Sequence, residues 1–152
     1  MLRSLRDFLQ QVPAFADAGQ RADDTELVRL AAAALLVEAM QADHEVQPEE
    51  RDAVITALRQ QFGLTQSDAE RLFHAAEERV RDAVSLHEFT ALLHKALTPA
   101  EKFTLLEQIW RVVLADQQLD KYEEHLVRRI ADLLYLSHND FIRAKLRAQG
   151  EV

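Results

Sequence analysis

The sequence predicts an all-α protein, a single compact bundle of seven to eight helices. Three observations lead there. Only three Gly and three Pro interrupt 152 residues, too few for the many turns of a β-sandwich. Ala and Leu outnumber Val and Ile, which favours helix over strand. Apolar residues recur at spacings of three and four along most of the chain, and no alternating strand pattern competes. With 48% hydrophobic residues at this length, one domain with a real core is expected.

The elements follow in order. Leu2, Leu5, Phe8 and Leu9 make a short amphipathic helix over residues 2–11, ended by Pro13, and a connector runs to residue 23. Asp24 or Thr25 caps a helix to about Asp43, whose stretch "LAAAALLVEAM" is apolar nearly all round and belongs at the centre of the core. Pro48 suits the first turn of the next helix, with Glu49 and Glu50 near its positive end and Gly63 as its C-cap. Thr65 and Ser67 open a helix carrying Ala69, Leu72, Phe73 and Ala76. Ser85-x-x-Glu88 fits a capping box for another, striped by Phe89, Leu92, Leu93 and Leu97. Thr98-Pro99-x-Glu101 opens a sixth, in which Trp110 shares a face with Phe103, Leu106 and Val113. A seventh spans roughly 120–135, and Ser137 caps an eighth holding Phe141, Ile142 and Leu146. Residues 24–150 thus form one domain, preceded by the short helix and connector of 1–23.

Composition narrows the function. The net charge is −8, from 18 basic and 26 acidic residues, which argues against nucleic acid or anionic lipid as a partner. The basic "RAKLR" near the C-terminus is too small for a nucleic-acid footprint. There is no cysteine, so disulfides, thiol catalysis and thiolate-bound zinc are excluded. The charged N-terminus is not a secretory signal, and "LAAAALLVEAM" is about half a membrane span, so a cytoplasmic protein without membrane insertion is expected. No G-x-S-x-G, phosphate-cradling glycine loop or dinucleotide fingerprint occurs, so an enzyme is not expected.

An internal duplication organises the chain. A shift of 73 residues places Ala42-Asp43 on Ala115-Asp116, Val46 on Leu119, Glu50 on Glu123, Val54 on Val127 and Phe62 on Tyr135. With a one-residue gap, "GLTQSD" (63–68) matches "YLSHND" (135–140). Half-repeats of about 24–80 and 98–150 are expected to pack about a pseudo-twofold axis. Their acidic turns then lie near each other or at opposite ends.

Those turns are the candidate site. In each, an Asp stands seven residues before a Glu: Asp43 and Glu50 in "QADHEVQPEERDAV", Asp116 and Glu123 in "LADQQLDKYEEHLV". An EF-hand loop needs oxygen ligands at positions 1, 3 and 5, Gly at 6 and Glu at 12. With Asp43 at position 5, the first copy has Ala39, Gln41 and His44 at 1, 3 and 6, and the second has Val112, Leu114 and Gln117. Neither loop is a working EF-hand. Two readings stay open. Four carboxylates can hold a hard divalent cation if the halves meet. Alternatively each Asp ends a helix and each Glu meets the dipole of the next.

"EAMQADHEVQPEERDAV", "WRVVLADQQLDKYEEHLVRRIADLL" and the leading "LAAAALLVEAMQAD" resemble the tellurite-resistance TerB family, over roughly residues 24–148. The resemblance implies an all-helical, internally duplicated fold with Asp-Gly at each turn and a Glu seven residues after the Asp. A related domain precedes the J-domain in a membrane-anchored DnaJ-like co-chaperone. It further implies a binding module in a tellurite-type stress response, its acidic turns Asp43, Glu50, Asp116 and Glu123 taking a divalent metal. Calcium, magnesium, manganese and zinc are not distinguished. The chain departs from the family pattern at His44 and Gln117, where glycine is expected. The rival readings are a metal-free module docking a protein partner, with self-association open, and a metal-dependent hydrolase.

Other residues have structural readings. His87 and His94 are seven apart, on one helix face but too far apart to share a metal, and no H-E-x-x-H occurs. They are read as surface or packing residues. Glu38 and its 73-residue counterpart Arg111 suggest an ion pair between the central helices, and Arg128 and Arg129 suggest partners for the turn carboxylates.

Overall fold

The computed structural model describes residues 24–42, 48–81, 86–115 and 121–150. The helix expected over 2–11 lies outside them, as do the side chains of Asp24, Thr25 and Ser85. Among the described residues there are seven helices and no strand: α1 (Asp24–Met40), α2 (Pro48–Phe62), α3 (Gln66–Arg81), α4 (Leu86–Ala96), α5 (Pro99–Val113), α6 (Lys121–Leu133) and α7 (His138–Ala148).

α1 is the hub. Every residue from Leu30 to Val37 is buried, as are Ala39 and Met40. Five alanines leave it slim, so neighbouring backbones approach closely on all sides. It packs on α2, α3, α4, α5 and α6. The second long helix of the core, α5, packs on α1, α2, α6 and α7; every residue from Leu105 to Trp110 is buried, with Glu101, Thr104 and Arg111 exposed. Trp110 is wholly buried on it, as its spacing predicts. Its Nε1–H donates to the Phe141 carbonyl across 3.2 Å, which satisfies the indole and ties α5 to α7. Glu107 strengthens the same seam by accepting from Arg111 at 2.6 Å and Arg147 at 3.2 Å. On the other side of α1, Arg79 of α3 is 1% exposed and pairs with Glu88 of α4 at 3.3 Å.

The helix ends obey local chemistry. At α5 the capping box forms in full: Glu101 N–H donates to Thr98 Oγ1 at 3.1 Å, and Thr98 N–H donates to Glu101 Oε1 at 2.8 Å. Thr65 caps α3 by accepting from Asp68 N–H at 3.1 Å, and Ser137 caps α7 by accepting from Asp140 N–H at 3.1 Å. Gly63 closes α2 at φ 64°, as its type predicts. No described helix is long and apolar enough to cross a membrane.

Candidate functional site: two buried turn carboxylates

The acidic turns join α1 to α2 and α5 to α6. Asp43 and Asp116 lie outside the described residues, so the structure speaks for the Glu of each pair. Glu50 and Glu123 are each the third residue of their helix, and each is 0% exposed. Glu101, the third residue of α5, shows what capping alone requires: it reaches back to the Thr98 amide while exposed. Capping at this helical position therefore does not by itself require burial. A carboxylate removed from water needs donors or a cation around it. Both Glu50 and Glu123 engage other groups.

The donor chemistry suits a hard divalent cation, which takes carboxylate and carbonyl oxygens. The described residues alone do not complete a shell, since no group of three or more His, Asp or Glu side chains gathers among them. Remaining ligands would come from residues 43–47 and 116–120, where Asp43 and Asp116 stand.

The Glu38–Arg111 reading needs correction. Arg111 does not meet Glu38. It bonds Glu107 one turn back on its own helix, because a side chain half exposed at 51% finds a closer partner there than across the core. Glu38 makes no ion pair among the described residues, and burial pushes its carboxyl up from the ordinary 4.5. Arg128 lies over the Phe141 ring, its guanidinium carbon 4.8 Å from the centroid.

Sequence reasoning missed a groove elsewhere. A cavity of about 760 Å³ opens between the start of α1, α4 and the end of α6. Leu27, Val28, Leu92 and Leu133 supply apolar wall, and His87, His94, Lys95 and Tyr135 its polar groups. The spacing of His87 and His94 placed them on one face. It carried no signal that this face opens on a cavity. Tyr135 takes φ 61°, a left-handed conformation that costs a side chain about 1–2 kcal/mol, and its ring centroid lies 4.4 Å from that of His94. His94 in turn has Nδ1 2.6 Å from the Lys102 ammonium.

A family model described as "Tellurite resistance protein TerB" matches residues 29–146. No curated protein and no solved structure matches the chain.

Proposed function

The chain belongs to the tellurite-resistance TerB family, and we propose that it is a non-catalytic binding module whose two acidic turns take a divalent cation. Glu50 would hold it with Asp43 in the first turn, and Glu123 with Asp116 in the second. The observation that carries the reading is the complete burial of Glu50 and Glu123, one in each half at corresponding positions. The cation would neutralise carboxylates that water does not reach. Its binding would stiffen the joints between α1 and α2 and between α5 and α6. A protein partner in a tellurite-type stress response would then read the ion-loaded form.

The third reading, a metal-dependent hydrolase, requires turnover of a phosphoester or amide that Asp116→Asn abolishes. The metal-free docking module is the second reading. It is favoured by the interactions that Glu50 and Glu123 already make within the protein.

A thermal melt separates the two. Metal-stripped protein is compared with protein in calcium, magnesium, manganese and zinc, beside the Glu50→Gln/Glu123→Gln and Asp43→Asn/Asp116→Asn double variants. An ion at 100 times its dissociation constant adds about 2.7 kcal/mol, roughly 5–10 °C for a chain of this size. The wild type should rise with one ion, and both double variants should lose the rise. Equal melting in every ion would overturn the reading and leave the turns as helix joints.

A further inference from the structure

We propose that the groove between α1, α4 and the end of α6 binds a small molecule that joins a hydrocarbon body to a carboxylate. This site is separate from the acidic turns. Four observations meet there.

The first is size. A cavity of about 760 Å³ falls in the range of small-molecule sites, and its wall is mostly aliphatic. The second is charge. The chain has 26 acidic residues against 18 basic, yet the described residues lining this cavity include no Asp or Glu. The third is the kind of polar group. Lys95 and the Tyr135 hydroxyl both donate. The Lys102 ammonium can only donate, so His94 accepts at Nδ1 and keeps its proton on Nε2 as a further donor. Donors of this kind around an apolar wall suit an anion with an apolar body. No Arg lines the cavity among the described residues, so an anion there would meet the single-point donors Lys95, His94 and Tyr135, which one carboxylate group can satisfy.

The fourth is strain. Tyr135 holds φ 61°, where Gly63 stands at the equivalent corner with φ 64°. The chain keeps a side chain at a position that favours glycine, and that side chain packs on His94 at the mouth of the groove. The closure of α6 sets that backbone, and the residue placed there brings a phenol rather than a hydrogen to the groove.

The test is calorimetric titration of the full chain with octanoate, and with octanol as the uncharged match. Octanoate should saturate at one molecule per chain, and octanol should bind about tenfold more weakly or less, since it lacks the charge that the donors meet. Lys95→Ala and Tyr135→Gly should each weaken octanoate about fivefold or more. Tyr135→Gly keeps the fold, because glycine adopts that φ without cost, and an undiminished melting midpoint confirms this. No saturable heat with octanoate would overturn the proposal, as would equal affinity for octanol or variants that bind like wild type. Octanoate binding seen only in a Leu5→Asp/Phe8→Asp variant would also overturn it, by assigning the groove to the chain's own N-terminal segment.

Discussion

After α2, Leu64 N–H donates to the Arg59 carbonyl across 3.2 Å; after α6, Leu136 N–H donates to the Ala131 carbonyl across 2.9 Å. Both corners are Schellman closures, and both lead into a hydroxyl cap on the next helix, Thr65 on α3 and Ser137 on α7. They differ in the left-handed residue itself, Gly63 after α2 and Tyr135 after α6. A closure bond dictates backbone geometry and leaves the side chain open. The first corner takes the unstrained choice. The second accepts strain and gains an aromatic ring beside His94. The two corners thus share their closure, while only the second borders the groove.

Pairs of substitutions at equivalent positions sharpen that contrast. The largest effect is expected in the core, where the 73-residue shift lays Val37 of α1 on Trp110 of α5, both wholly buried. Trp110→Ala should cost about 3–5 kcal/mol, and Val37→Ala about 1–2 kcal/mol, in urea unfolding. Equal losses would mean that the slot collapses around either truncation, and that α1 and α5 do not differ in how they fill the core.

At the corners the two changes should have opposite signs. Gly63→Ala should destabilise by about 1 kcal/mol, and the cost is conformational because no atom lies within 4 Å of the added Cβ. Tyr135→Gly should stabilise by about 0.5–1 kcal/mol, since the ring it removes is 76% exposed. A loss of stability in Tyr135→Gly would show that the contact with His94 outweighs the strain.

The smallest effect concerns Glu38 and its counterpart Arg111. Burial raises the Glu38 carboxyl above 4.5, so the folded state holds its proton to higher pH than the unfolded chain does. Stability is then lost as pH rises from the unfolded value through the folded one, and the penalty is complete above it. Glu38→Gln should raise the melting midpoint at pH 7 and leave it unchanged near pH 4. Arg111→Ala should change stability by under about 0.5 kcal/mol at either pH, because its guanidinium is half exposed and Glu107 keeps Arg147 as a partner. A pH-independent gain in Glu38→Gln would mean that packing, rather than charge burial, sets the cost of Glu38.

Helix order, helix ends and the central place of "LAAAALLVEAM" were legible in the sequence. Each rests on neighbours within about four residues or on an unbroken apolar run. The capping box at Thr98 and the C-cap at Gly63 are such local chemistry, and so is the face that buries Trp110. The identity of the site was legible only in part. Spacing paired Glu50 with Glu123, and it could not show that both are sealed from water while Glu101, at the same helical position in α5, is exposed.

What the sequence determined by itself is therefore the class and order of the helices, together with the family that follows from its repeated acidic turns. The tertiary structure alone decided the rest. Arg111 bonds Glu107 instead of Glu38, Tyr135 reaches His94 from a strained corner, and α1, α4 and α6 leave a groove between them. Each of these depends on which surfaces meet across the bundle. Helical period fixes the direction a side chain takes from its own helix, but it does not encode the distance or identity of what stands opposite.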